Sequence, residues 1–267
     1  TADATAPAQA SVATPPCDGS ATALAPGLTR ERWPLDATPA IAVTPCLELV
    51  RADLAHLRPR LVTASRDGAA RPAPAWLAEL HLAAAVNAGM FLDGGHSIGL
   101  LVDGDHVDQP RDNPKLGGFL AFGPREPGAP PVVLEGRDCP GFDLADLRRR
   151  YRTVTQSYRL LGCDGAAIPW ADDKAYSAAA IALDRAGRLV LVHVRAPLRM
   201  RDLARALAEP RLGLTAAIFV EGGPEATVAV AGDQPLLLVG SYETGFVEND
   251  DNHDAWALPN LVALAPR

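Results

Sequence analysis

The stretch "AAIFVEGGPEATVAV", residues 216–230, decides how the rest of the chain is read. An apolar run, Ala216 to Val220, meets Glu221, Gly222, Gly223 and Pro224, and a second run, Thr227 to Val230, follows at once. Short apolar runs bounded by turn residues read as buried strands. A strand buried on both faces delivers its last side chain to a cleft rim, because the loops beyond it lie at the surface. The stretch therefore predicts two strands joined by a tight turn, with one carboxylate at the mouth. A turn with Glu221 in solvent is the plainer account of the glycines and the proline.

Outward from this stretch the pattern stays strand-rich. "SAAAIALDRAGRLVLVHVRAP" (177–197) is a hairpin turning at "DRAG", and "RMRDLARALAE" (199–209) puts Met200, Leu203, Ala204 and Leu207 on one helical face. Further strands are expected in "CLELVRAD" (46–53), "RLVTAS" (60–65), "LAAAVNAGMF" (82–91) and "TVTQSYRLLG" (153–162). Others are expected in "SIGLLVDGDHV" (97–107), on both sides of the Pro/Gly loop in 115–136, in "QPLLLV" (234–239) and in "PNLVALAPR" (259–267). Short helices are expected in "PAPAWLAELH" (72–81) and "DLADLRRRYR" (143–152). Most connections have hairpin length. The fold class is α+β, a single domain with a mostly antiparallel or mixed β-sheet and a few helices.

The chain has 267 residues, 48% of them hydrophobic, which is enough for a sizeable core. Its net charge of −7 argues against a nucleic-acid partner, whose footprint is basic. No stretch approaches the length of a transmembrane segment. Residues 1–38 are rich in Ala, Pro and Thr and are expected to form a flexible N-terminal arm, with the folded domain spanning 39–267. The sequence opens at Thr1, and small-residue tethers often follow a cleaved export signal, so a secreted, periplasmic or cell-surface location is expected. Four cysteines allow three pairings; the most local is Cys17 with Cys46 and Cys139 with Cys163. Free buried thiols are the alternative. The acidic run 248–254 offers oxygen ligands for calcium at Asp250, Asp251 and Asp254, but it lacks the glycine and final Glu of a calcium-binding EF-hand loop. A solvated acidic loop accounts for it, and no cofactor is expected.

The motifs taken together are more specific than any one of them. "VNAGMF", "SIGLLVDG", "KLGGFLAF", "VTQSYRLL", the long hairpin, a helix and "AAIFVEGGPEAT" occur in that order. This order resembles the phosphodiester glycosidase family over residues 40–265, in a bacterial branch whose turn reads "EGGPEA". The resemblance implies hydrolysis of sugar 1-phosphodiesters. It maps catalytic roles onto Glu221 and Asn87. It maps substrate contacts onto Gly89, Gln156, Gly222, Gly223 and Thr227. Three departures stand out. Glu221 replaces the family's usual Asp, and Pro224 and Glu225 stand where a small hydroxyl residue is usual. The usual Arg before the hairpin strand is also missing, so Arg159 or Lys174 is expected to meet the phosphate.

The chemistry explains these choices. An oxocarbenium-like transition state needs a carboxylate near C1, whereas a phosphate leaving group needs little protonation. Glu221 is the expected carboxylate, as nucleophile or base, with Glu225 as a candidate partner acid. Gly222 and Gly223 can present backbone N–H groups to the diester oxygens. The expected partner is a small or polymeric sugar phosphodiester. A second reading is a catalytically silent relative that binds carbohydrate or builds a surface assembly. The two are separated by whether Asn87, Gln156, Glu221 and a cation converge on one pocket.

Overall fold

The computed structural model describes residues 16–267; Thr1 to Pro15 of the expected arm lie outside the described residues. Two antiparallel sheets stack face to face. The larger has strands in the order Ala21–Ala25, Leu28–Pro34, Cys46–Ala52, Leu189–Arg199, Ala175–Asp184, Leu214–Gly222, Tyr151–Arg159, Leu101–Asp103, His106–Gln109, and the hairpin Gly118–Pro124/Val132–Gly136 joins it at Tyr151–Arg159. The smaller runs Leu236–Val239, Thr227–Val230, Ala84–Asn87, Asn260–Pro266, Leu57–Thr63.

Alternation along the strands sets the layers. Val50, Ile181, Leu191, Ile218 and Val220 point from the large sheet onto Val86, Val228, Val262 and Leu264 of the small one. The outer face of the large sheet carries Leu49, Ala180, Val192 and Phe219 and is covered by helix Met200–Leu207 through the four residues its periodicity selected. The outer face of the small sheet is covered by helix Ala73–Leu80, where Trp76 is buried and donates Nε1–H to the Leu258 carbonyl at 3.0 Å. Central strands covered on both faces are apolar throughout, which explains runs such as Ala178–Ala182. The antiparallel α+β domain is as the hairpin-length connections require. Among the described residues, no helix is long and apolar enough to cross a membrane.

One boundary needs correction. Residues 21–34 do not belong to a flexible arm; they form a hairpin that turns at Gly27 (φ 75°) and extends the large sheet beyond Cys46–Ala52. Their charges are paired across the sheet. Arg30 and Arg32 both engage Glu48 (2.8 and 2.6 Å), and Glu31 accepts from Arg51 (2.8 Å). Both disulfides form, Cys17–Cys46 and Cys139–Cys163, and no described cysteine is free.

Candidate active site

The strand Leu214–Gly222 ends in the site. Opposite it, Ala179 faces Glu221 and Ala180 faces Phe219, so Val220 is an extra residue in a β-bulge. Bulges re-aim the side chains beside them. Glu221 is thereby delivered to a cleft of about 680 Å³, where the ends of strands Tyr151–Arg159, Ala175–Asp184 and Leu214–Gly222 meet loop 90–95. Gly223 then turns the chain at φ 67°, and a Cβ there would sit 2.7 Å from Glu243 Oε2. Only glycine fits this backbone and this approach.

Three glutamates converge. Glu221 is 8% exposed and its Oε1 accepts from the Gly222 N–H at 3.1 Å. Burial pushes its carboxyl up to about 8; the charges of Glu225 and Glu243 add to this, against the pull of the Gly222 N–H. Glu225 is also raised, by burial and then by Glu243. Glu243 is raised by burial, with Lys174 opposing. At neutral pH Glu221 therefore carries its proton and can donate a hydrogen bond. A carboxyl held near neutrality in a cleft, as Glu221 is, is suited to proton transfer.

The facing wall is aromatic. Tyr158 and Trp170 meet edge-on with centroids 5.4 Å apart, and Tyr176 lies 6.4 Å from Phe219. The Tyr176 hydroxyl donates to Asp172 at 3.4 Å, and burial, followed by the charges of Asp172 and Glu243, pushes it up to about 12.

The remaining candidates are placed differently. Glu221 and Gly222 line the cleft. Asn87 is 1% exposed and has no free end: its amide donates to the Glu225 carbonyl (3.0 Å) and its carbonyl accepts from the Thr227 N–H (2.8 Å). Thr227 is fully buried and donates its hydroxyl back to Glu225. These two residues clamp the turn that carries the glutamates, so they position the site. Gln156 is saturated: its Oε1 accepts from Leu100 and Asn113, and its amide donates to Asp112, Asn113 and Leu116. Gly89 packs beside its backbone carbonyl. Arg159 lines a separate cleft near the Cys139–Cys163 disulfide, bound to Asp138 and to the Leu161 carbonyl (3.2 Å). The Lys174 side chain is exposed and acts on the site through its field on Glu243, and its backbone N–H donates to Asp172 at 2.9 Å. The expected convergence of Asn87, Gln156, Glu221 and a cation does not occur. In the acidic loop, Asp250 is held by Arg195 at 2.7 Å.

Glu243, Asp172 and the aromatic residues were not singled out from sequence. Glu243 arrives on an irregular loop, outside any regular strand, that meets Ala175–Asp184 through an isolated bridge to Tyr176, so no periodicity marks it.

A protonated Glu221 carboxyl beside aromatic rings that can face a sugar makes this a cleft of the kind hydrolases use on glycosidic bonds. The family model described as phosphodiester glycosidase matches residues 80–265, and the chain belongs to that family. Among solved structures it is similar to the catalytic domain of the zebrafish N-acetylglucosamine-1-phosphodiester alpha-N-acetylglucosaminidase, auto-inhibited by its pro-peptide. The TM-score is 0.64 at 14% identity, covering 91% of this chain and 85% of that one. It is also similar to a hypothetical protein from Synechocystis, with TM-score 0.59 at 13% identity, covering 96% of this chain and 65% of that one. At these identities the likeness is one of fold. No curated protein matches the chain in sequence.

Proposed function

We propose that the protein is a secreted hydrolase of glycosyl phosphodiester bonds, acting on sugar 1-phosphodiesters such as those of surface polysaccharide. The observation that carries this reading is the buried carboxyl of Glu221 opening into an aromatic-walled cleft, in a chain of this family. Two disulfides support an oxidising compartment.

The sugar ring lies against the aromatic wall. Glu221, protonated at neutral pH, hydrogen-bonds a diester oxygen, so the anion meets a neutral carboxyl. Glu225, on the same turn, takes a proton from water as the water oxygen bonds to C1. The C1–O bond of the C1–O–P linkage breaks, its electron pair leaves on the phosphate oxygen, and the proton on Glu225 returns to solvent. The phosphate departs as a low-pKa group and needs no proton at that moment.

The test is turnover of a panel of sugar 1-phosphodiesters by the wild type and by Glu221→Gln. A fall of about 10²-fold or more, with the circular dichroism spectrum unchanged, is expected. One observation favours a second reading, that of a silent carbohydrate-binding relative: among the described residues, no Lys, Arg or His lines the cleft. Retained sugar binding with no turnover across the panel replaces the first reading with the second.

A further inference from the structure

The charge of the cleft is unusual for an anionic substrate. Asp93, Asp172, Glu221, Glu225 and Glu243 line it, and the nearest cation acting on it, Lys174, is exposed. An ionised phosphodiester with nothing else attached enters a field of its own sign. Two occupants can reverse that field: a metal ion or an organic cation.

The geometry distinguishes them. No three of the cleft's carboxylates offer oxygens within 4.8 Å of one another; among the described residues the one trio that close is Asp138, Cys139 and Cys163, outside this cleft and built on a disulfide. As placed, the acids do not form a three-carboxylate cage for one metal ion. They sit instead around rings. Asp172 meets the Tyr176 hydroxyl, Glu243 is bridged to Tyr176 through the backbone, and Trp170 packs edge-on against Tyr158. Carboxylates around aromatic faces are the arrangement that holds an ammonium group, by charge and by the ring quadrupole together. Glu221 adds an independent pointer. It is more than nine-tenths buried at the cleft wall, and among the described residues its one hydrogen bond is from the Gly222 N–H to Oε1.

We infer that the cleft selects zwitterionic substrates, glycosyl phosphodiesters that also carry an ammonium group, held by Asp172 and Glu243 against Tyr176 and Trp170. This inference rests on the proposed hydrolase reading for its phosphodiester half and on the cleft alone for its ammonium half. The ammonium can belong to the aglycone, as in an aminoalkyl phosphate, or to the sugar, as in an unacetylated amino sugar. Either makes the substrate neutral overall and reverses the unfavourable field. The raised carboxyls of Glu225 and Glu243 support the same conclusion, since an arriving cation favours their ionised form and proton release, while Glu221 keeps its proton for the diester.

Binding and turnover are measured separately on the full chain. In calorimetry at pH 7, O-phosphoethanolamine and glycerol phosphate are compared in two buffers of different ionisation enthalpy. The ammonium ligand is expected to bind about tenfold or more tightly and to release protons, and Glu243→Gln is expected to narrow the gap. For turnover, N-acetylglucosamine 1-phosphate esterified to methanol, glycerol or ethanolamine is compared with glucosamine 1-phosphate esterified to methanol. A tenfold gain in kcat/KM for the ethanolamine ester places the cation on the aglycone; the same gain for the glucosamine ester places it on the sugar. Equal turnover of all four esters, with no preference in binding, overturns the inference and leaves the hydrolase reading standing. Ammonium-selective binding without turnover of any ester does the reverse.

Discussion

Replacing Glu221 by Gln tests the electrostatics of the cleft through stability, with no substrate needed. In the folded protein the Glu221 carboxyl is pushed from 4.5 to about 8 by burial and by its acidic neighbours. Between those values the folded state holds a proton that the unfolded chain has released. Each rise in pH across this window therefore favours unfolding, and the contribution is flat below 4.5 and above 8. At ~1.4 kcal/mol per unit, the full loss across the window is about 5 kcal/mol. Gln keeps the shape and cannot ionise, so the variant lacks this slope. Burial raises Glu225 and Glu243 in both proteins and that part cancels in the difference, while their mutual repulsion with Glu221 is lost in the variant and belongs to the same alkaline slope. The assay is urea unfolding of both proteins at unit steps from about pH 5 to about pH 9. The variant should match the wild type at the acid end and exceed it by several kcal/mol at the alkaline end, a shift of roughly 2 M in urea midpoint. Parallel profiles across the range would refute the reasoning, because Glu221 would then be ionised and solvated in the folded protein.

His193 carries the opposite sign. It is 1% exposed beside Glu48 and Arg195, and burial pushes it down from 6.5 to about 4. The unfolded chain takes up its proton first, so stability falls by ~3 kcal/mol as pH drops through that interval, and His193→Gln should remove this acid limb from the urea profile. Asn87→Ala leaves the Thr227 N–H without its partner in a buried turn and leaves the Glu225 carbonyl with the Thr227 hydroxyl alone. A loss of about 2–4 kcal/mol is expected in urea melts, along with activity, whereas a purely catalytic Asn87 would lose activity at constant stability. Replacing Cys139 and Cys163 by Ser opens a link across 24 residues. It should lower stability by about 3 kcal/mol and raise KM, because the chain that follows Cys163 carries Trp170 and Asp172; a KM unchanged by the substitution would show that the wall is held by other contacts.

Much of the architecture was legible because antiparallel strands and amphipathic helices write their period locally. Met200, Leu203, Ala204 and Leu207 were identified from spacing alone and cover the large sheet. The hairpin at residues 21–34 was not, since the Ala, Pro and Thr richness of residues 1–38 reads as a flexible arm. In the fold its Arg30, Glu31 and Arg32 each meet an opposite charge on Cys46–Ala52, a cross-strand partner that no local window contains. The division into two stacked sheets was also hidden, because strands covered on both faces show no alternation to assign. At the site, Glu221 was readable as a carboxylate at the end of an apolar strand. Asn87 and Gln156 were readable as polar residues in apolar surroundings, but sequence cannot distinguish a side chain offered to a ligand from one already saturated by the backbone. Glu243 and Asp172 come from irregular loops, and only the folded chain brings them beside Tyr176.

The hairpin at residues 21–34 also guards the molecule against self-association. Every residue of Cys46–Ala52 is buried, and one whole side of that strand is hydrogen-bonded to Leu28–Pro34. A truncated form beginning near residue 39, where composition alone draws the boundary, strips that side bare. It leaves a long, flat strand with unpaired N–H and C=O groups, a lone thiol at Cys46, and Glu48 and Arg51 without their partners on the hairpin. Such an edge is a template for strands of other copies, so the shortened protein should emerge as aggregate.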